Sequence, residues 1–382
     1  MIIIEKPLAE KDYIFSQTLK KILFEESKGS LLVLDIETTG LSSYASIYML
    51  GFICVDENPR LIQWFAENPE DEYQMLYQLI RFIDCFDKIL TYNGNSFDIP
   101  FIKKRMSFYK IRFTQKHHDF HDLFQDIRPY KKILSLDNLK QKSLELRFNI
   151  NRKDSYSGKE LISIYKEYLK NSSEDLMQLL FLHNMEDILG LLELSQFYAY
   201  IKIIDLIKNN KLAFQSITAK AYNNNLEIQI IINNPLFTLI TLPEALAINT
   251  SHFGISINSK GLIISAPLIA ETLYYFFEDY QNYYYLPQED MAVHKSIGKF
   301  VQKNFRKNAQ PKTAYTKKRG IFIPLGKPSE LFSSSKLFKK AYSLSEYFLE
   351  YSPAQLNDQD FISEYSSNLL SNLDISNLLV EK

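Results

Sequence analysis

The sequence predicts an α/β fold, a mixed sheet flanked by helices, followed by a second, smaller α+β domain. Three observations carry this expectation. The run Leu31 to Ile36 is short, apolar and β-branched at its middle, as a buried strand is. Strand-like and helical patterns then alternate until about residue 208. From there short apolar runs broken by Asn, Gly and Pro take over, which suggests a small sheet. At 382 residues the chain also exceeds the usual size of one compact core.

The elements follow in order. Glu10 to Ser27 is a polar, helical lead-in. After Leu31 to Ile36 come two more strand-like runs, Ser46 to Val55 and Leu61 to Ala66. Asp56, Glu57, Asn58 and Pro59 between them have turn chemistry, so the pair reads as an antiparallel hairpin. Tyr73, Leu76, Leu79, Ile80 and Ile83 fall at helical spacing, with acids in the first turn where the helix dipole favours them. A short strand, Lys88 to Tyr92, leads through a Gly/Asn/Ser loop into a helix near Asp98, with Pro100 in its first turn. Ser157 to Glu160 reads as the start of a helix over Leu161 to Leu169, and Glu174 to Lys208 supports one or two long helices. The domain boundary is placed near residue 210, giving domains 1–210 and 211–382. In the second, Leu226 to Ile232, Phe237 to Thr241, Ala247 to Ile257 and Leu262 to Ser265 read as strands, and Ala270 to Glu278 and His294 to Phe305 as helices. The acidic stretch from Leu356 to Lys382 is as consistent with a frayed helix or a flexible tail as with packed structure.

Composition narrows the class. With 25 Tyr and 27 Phe the chain has ample material for a packed core. No apolar run approaches the roughly 20 residues that cross a bilayer, and the first residues lack a signal pattern, so a cytoplasmic protein is expected. Cys54 and Cys85 are expected to be buried free thiols. The formal net charge of -1 argues against coating nucleic acid through bulk charge. Its distribution is uneven: residues 101 to 150 hold 12 Lys/Arg against 5 Asp/Glu, and residues 301 to 350 hold 11 against 3. Two basic segments in a near-neutral chain suit local contact with a polyanion.

The acids carry the chemistry. Strand alternation sets Asp35 and Glu37, in Asp35-Ile36-Glu37-Thr38-Thr39-Gly40, on one face. Two close carboxylates repel unless they share a cation, and hard oxygen donors suit Mg²⁺ or Mn²⁺. Asp98 supplies a third acid behind the loop Tyr92-Asn93-Gly94-Asn95-Ser96-Phe97; there Phe97 is expected to pack inward while Asp98 faces out. In His183-Asn184-Met185-Glu186-Asp187, four-residue spacing on a helix puts His183 and Asp187 on one face, roughly 6 Å apart at Cβ. That allows one ligand and one neighbouring base. Asn184 and Glu186 face elsewhere on such a helix, in solvated or capping roles.

These three blocks, in this order, resemble the DEDD exonuclease superfamily of ribonuclease H-like fold. The second is also similar to the exonuclease motif of family B DNA polymerases. With Arg152, Lys153, Asp154, Ser157 and Gly158 included, the chain most resembles the bacterial YprB-like ribonuclease H-like group over about residues 30 to 200. The resemblance implies that Asp35, Glu37, Asp98 and Asp187 hold two ions, Mg²⁺ or Mn²⁺. It puts His183 in the place of the water-activating residue. The spacing from His183 to Asp187 is four, that of the Tyr-bearing branch, where His-bearing members usually have five. By the same resemblance Thr38, Thr39 and Leu41 would meet the terminal nucleotide, and Asn93 is grouped with them as a nucleic-acid contact.

Two other clusters stay open. His117, His118, Asp119, His121 and Asp122 lack Cys partners and regular metal spacing, and the resemblance gives Asp122 a structural hydrogen-bonding role near the fifth strand. Lys103, Lys104, Arg105, Lys110, Arg112 and Lys116 suit either a phosphate track or a solvated helix face. In the second domain Lys295, Lys299, Lys303 and Arg306 would share a helix face, in a basic stretch interleaved with Phe300, Phe305 and Tyr315; this mixture suits backbone neutralisation with base stacking. The expectation is a metal-dependent 3'-to-5' exonuclease acting on single-stranded or frayed DNA or RNA ends. A non-catalytic nucleic-acid-binding module on the same fold and an endonuclease of the same chemistry are the alternatives.

Overall fold

The strand β2 (Leu31–Thr38) is apolar on both faces, with Leu31, Leu32, Val33 and Leu34 all buried, and this places it inside a sheet rather than at its edge. In the computed structural model, which describes residues 1–24, 29–42, 44–113, 119–209, 211–238 and 246–373, that sheet has six strands in the order β1-β4-β3-β2-β5-β6. The others are β1 (Ile2–Pro7), β3 (Ile47–Val55), β4 (Arg60–Phe65), β5 (Lys88–Thr91) and β6 (Asp119–Asp122). β2 pairs antiparallel with β3, and β3 with β4, as the turn chemistry at Asp56 to Pro59 predicts. β5 runs parallel to both β2 and β6. The sheet is therefore mixed. The edge strand β1, pairing antiparallel with β4, is not anticipated by the sequence reading.

Helices α1 (Glu10–Leu23), α2 (Asp71–Ile83), α3 (Asp98–Phe108), α4 (Leu123–Ile127), α5 (Gln141–Arg147), α6 (Gly158–Asn171), α7 (Glu174–Leu194) and α8 (Phe197–Lys208) complete the first half. The lead-in helix stops at Leu23, and residues 25–28 lie outside the described residues. α6 begins with a capping box, Ser157 and Glu160 each bonding the other's end of the turn. In the core Met75, Leu76 and Leu79 of α2 and Tyr165 of α6 bury against the sheet's apolar side chains. Glu72 is buried with them, and Arg105 donates to both of its oxygens. This removes Arg105 from any phosphate track, while Lys116 lies outside the described residues.

The chain divides into two compact units, the first Met1–Lys202 and the second, among the described residues, 203–238 and 246–373. In the second unit β7 (Ser216–Tyr222), β8 (Asn225–Ile231), β9 (Leu246–Asn249), β10 (Gly254–Asn258) and β11 (Gly261–Pro267) form an antiparallel sheet. Ala247 to Ile257 is thus two strands; Thr250 accepts at its side chain from the His252 and Phe253 backbones and turns the chain between them. The expected strand at Phe237 is instead the short helix α9 (Pro235–Thr238), and residues 239–245 lie outside the described residues.

Ala270 to Glu278 is not a helix. It is the strand β12 (Ile269–Phe276), because its residues are β-branched and aromatic and alternate between a buried Leu273 and its exposed neighbour Thr272. β12 pairs with β16 (Tyr315–Gly326), and β16 with β17 (Tyr347–Glu350). A second small sheet joins β13 (Tyr283–Leu286), β14 (Met291–His294) and β15 (Lys307–Asn308). The helix expected over His294 to Phe305 is also corrected. Only the single turn α10 (Lys295–Gly298) forms, then a short 3-10 turn at Lys303–Phe305, so Lys295, Lys299, Lys303 and Arg306 share no continuous helix face. Gly298 closes against Tyr284, where a Cβ would meet ring carbon at 2.9 Å. The tail, in contrast, is packed through α11 (Gln359–Ser371), which buries Ile362, Tyr365 and Leu369; residues 374–382 lie outside the described residues. Among the described residues no helix is long and apolar enough to cross a membrane. Both cysteines are free; Cys54 is buried as expected, whereas Cys85 is exposed.

Candidate active site

Asp35 and Glu37 leave β2 on one face, and pairing sets Asp35 opposite Gly51 of β3. A Cβ on Gly51 would lie 2.2 Å from Asn184 Oδ1. The missing side chain lets α7 approach, so that Asn184 Nδ2 donates to Asp35 Oδ2 at 3.1 Å while Gln63 Nε2 donates to Asn184 Oδ1 at 2.9 Å. Asn184 is fully buried and holds an acid. Sequence reasoning gave it a solvated or capping role, and the strand register that pairs Gly51 with Asp35 is the signal it lacked.

Asp98 opens α3 and accepts at Oδ1 from the Ile36 backbone N–H at 3.2 Å, which ties the helix start between the two acids of β2. It is 5 % exposed, so the expectation that it faces outward is corrected: it points into a cleft. The loop before it is held by Asp122 at the end of β6, which accepts from the Asn93 and Asn95 backbones at 2.8 and 3.0 Å and from Phe124 of α4 at 3.1 Å. Asn93 takes a left-handed φ of +59° there, a conformation Asn tolerates. Asp122 is a structural acid. His117 and His118, its neighbours in the cluster noted from sequence, lie outside the described residues.

Asp187 sits on α7 one turn beyond His183. His183 Nε2 is 3.0 Å from Asp187 Oδ2 and 3.5 Å from Glu37 Oε1. Its other nitrogen, Nδ1, is 2.5 Å from Asp154 Oδ2. Arg152 donates to Asp187 and, through Nε and Nη2, to both oxygens of Glu145 at 2.5 Å. Gly190 makes room for that pair, since a Cβ there would stand 2.2 Å from Glu145 Oε1. Glu186 turns away and accepts from the Lys153 and Asp154 backbones, fastening the segment that carries Arg152 and Asp154. Asn184, Glu145, Arg152, Asp154 and Tyr48, whose hydroxyl donates to Glu37, were given no role in the site from sequence.

The structure thus brings Asp35, Glu37, Asp98, His183 and Asp187 around one open cleft of about 620 Å³, together with Asn93, Lys142 and Tyr156. Thr38 ends β2, buried and donating to the Gly40 carbonyl, and Thr39 opens the turn beyond it, accepting from the Ser46 backbone. Leu41 is 84 % exposed beside them. Lys295, Lys299, Lys303 and Arg306 belong to the second unit.

Burial and mutual repulsion dominate the electrostatics. Burial, then Asp187, Asp98 and Glu37, raise the Asp35 carboxyl well above the usual range. Burial and Asp187 push Glu37 up to about 8. Burial raises Asp98 to about 7 against two backbone hydrogen bonds that favour its charge. Burial also opposes charge on Asp187 and His183, yet the two stabilise each other: Asp187 is lowered by His183 and Arg152, and His183 is raised to about 9 by Asp187, Glu37 and Asp154. Three acids at such cost in one cleft call for added positive charge. Glu37, His183 and Asp187 each offer a donor atom within 4.8 Å of the others, and Asp35 and Asp98 line the same cleft. A donor set this rich in carboxylate fits a hard divalent cation.

Comparison with known proteins bears on the fold. Residues 32–198 match the family model of the RNase_H superfamily. The expected ribonuclease H-like fold is thereby borne out, with a mixed sheet flanked by helices and further β structure after it. A curated relative, the uncharacterized protein YprB of Bacillus subtilis (strain 168), is 28% identical over 176 residues, 44% of this chain and 41% of its own length. The chain therefore spans about two fifths of that relative. Among solved structures, the family B DNA polymerase of the hyperthermophilic archaeon Pyrobaculum calidifontis aligns with a TM-score of 0.34 at 12% identity, covering 67% of this chain and 35% of that one.

Proposed function

We propose, from the match of residues 32–198 to the family model of the RNase_H superfamily, that the protein is a metal-dependent nuclease. Its substrates are single-stranded or frayed ends of DNA or RNA, from which it releases nucleotides in the 3'-to-5' direction. The observation that carries this reading is the convergence of Asp35, Glu37, Asp98, Asp187 and His183 on one cleft, where burial and mutual repulsion raise three of the four carboxyls.

Asp35, Glu37, Asp98 and Asp187 would hold two Mg²⁺ or Mn²⁺ ions. Such ions, when bound, lower the pKa of a water and clamp the attacking and leaving oxygens of an in-line phosphoryl displacement. The remaining work falls to the chain itself. His183 is held at Nδ1 by Asp154, so its Nε2 is aimed at Glu37 and Asp187; cations held by those acids would offset the negative charge that keeps His183 protonated, and only the neutral imidazole could then take a proton from water. Asn184 and Arg152 fix Asp35 and Asp187 by hydrogen bonds. Lys142 and Asn93 line the approach for a phosphate backbone.

The test is a cleavage assay on end-labelled linear and circular single strands of DNA and RNA with Mg²⁺ or Mn²⁺. A ladder from the linear strand, an intact circle and inactivity of Asp35→Asn are expected. Opened circles would make the enzyme an endonuclease, and full activity in Asp35→Asn would refute the metal cage.

A further inference from the structure

The second unit carries a surface of its own. Lys339 pairs with Tyr274 of β12 and Phe338 with Phe348 of β17, so this short segment joins the two outer strands of the β12-β16-β17 sheet. The strands curl around a small core of Leu273, Phe322, Phe338 and Phe348. Side chains that alternate with this core must point outward. On β12 these are Thr272, Tyr274 and Phe276, and opposite them on β16 stand Arg319, Lys317 and Tyr315. The outer face is therefore aromatic at one end and cationic at the other.

The rings form a continuous cluster. Tyr315 lies 5.0 Å from Tyr274 and 5.4 Å from Phe276, centroid to centroid, and Tyr342 lies 5.3 Å from Phe276. These aromatics are not sealed in the core: Tyr274, Phe276 and Tyr315 are half-buried and Tyr342 is 49 % exposed. Asp290 accepts from the hydroxyls of Tyr285 and Tyr315 and from Lys317, which fixes these groups at the edge of the cluster. From Met291 to Arg319 the chain carries nine Lys or Arg and no Asp or Glu. A strand face that sets edge-to-face rings beside the exposed Arg319 is complementary to a polyanion with unstacked planar bases.

We propose that this outer face, built on Tyr274, Phe276, Tyr315 and Arg319, is a binding platform for single-stranded nucleic acid. The rings stack on bases that a duplex would keep paired, and Arg319 with its basic neighbours meets the phosphates. Duplex DNA offers the same phosphates without free base faces, so the platform selects single strands. This adds a second binding surface for the substrate class of the nuclease reading and rests on that reading only for the link to hydrolysis.

Binding is measured on the full chain in chelator, so that no cleavage intervenes, by anisotropy of a labelled 20-nucleotide thymidine or uridine strand and of a duplex of equal length. The single strand should bind more tightly than the duplex. Tyr274→Ala or Phe276→Ala should weaken it about tenfold per ring, with Tyr274→Phe retaining affinity. Should the alanine variants melt early, Arg319→Ala at its exposed position still tests the face: the slope of log affinity against log salt should fall by about 0.7. Folded ring variants that bind as the unaltered chain does, equal affinity for the duplex, or complete displacement by polyglutamate would each overturn the platform. Hydrolysis of a small phosphodiester by the unaltered chain with Mn²⁺ reports the nuclease reading separately. Ring-dependent binding without that hydrolysis would uphold the platform and remove the nuclease; hydrolysis with ring-independent binding would do the reverse.

Discussion

Asn184 Nδ2 reaches Asp35 Oδ2 at 3.1 Å across the space left by Gly51. A buried amide that donates to a carboxylate fixes the orientation of an acid whose neighbours repel it. If Asp35 holds a metal as proposed, Asn184→Ala should weaken Mn²⁺ binding and the proposed nuclease turnover by about 10- to 100-fold, the usual cost of losing a group that orients a ligand. Calorimetric titration of Mn²⁺ checks this, and unchanged affinity would count against the role. Gly51→Ala should act on the same bond through crowding and cost about 1–3 kcal/mol in chemical denaturation.

Asp154 makes the corresponding contact to His183, with its side chain only 1 % exposed. A carboxylate on Nδ1 selects the imidazole orientation that leaves Nε2 toward Glu37 and Asp187. Asp154→Asn keeps the shape and alters the donor pattern. Turnover should fall about 10- to 100-fold with KM little changed, since the substrate's contacts are not removed. A variant that loses KM and not kcat would assign Asp154 to substrate binding instead.

Much of the first unit was legible because its signals are local. Asp35 and Glu37 share a face by alternation, the Asp56 to Pro59 turn sets a hairpin, and Ser157 with Glu160 caps α6. What could not be read depends on which strand lies beside which. The edge strand β1 is ordered by β4, the burial of Asn184 by Gly51 across the β2-β3 register, and the site segment Arg152 to Asp154 by Glu186. In the second unit aromatic and β-branched residues run so densely through Thr272 to Phe276 that helical and strand periods both fit, and only pairing with β16 decides between them. The cationic positions 295, 299, 303 and 306 fell at helical spacing by coincidence, in a segment whose helix spans only Lys295–Gly298.

Asp290, in the second unit, supplies a pH prediction. Lys317, then the hydroxyls of Tyr285 and Tyr315, lower its carboxyl to about 2 from an ordinary value of 3.8. A depressed folded pKa gives stability that is complete above the unfolded value and is lost as pH falls through about 2. Between pH 4 and pH 2 the unaltered chain should therefore lose this contribution, and Lys317→Ala should move the Asp290 carboxyl resonance in an NMR titration upward. A titration midpoint that does not respond to Lys317→Ala would break the assignment of cause. The group is largely exposed, so the effect on melting should be small.

Arg105 and Glu72 give the strongest stability prediction. Glu72 is 1 % exposed and receives Arg105 Nε at 2.8 Å, Arg105 Nη2 at 2.5 Å, the Tyr109 hydroxyl at 3.0 Å and the Ile47 backbone N–H at 2.8 Å. Removing only the cation leaves a buried carboxylate short of its partner, so Arg105→Ala should cost about 3–5 kcal/mol in urea denaturation. Replacing both with apolar residues, Glu72→Leu with Arg105→Met, removes the charges together and should recover part of that loss. It cannot recover all of it, because the Ile47 N–H at the start of β3 then has no acceptor; about 1–3 kcal/mol should remain. Denaturation curves of the two single variants and the double separate these terms. A double variant less stable than Arg105→Ala would mean that the anion's backbone contact, and not the ion pair, holds α2 and α3 to the sheet.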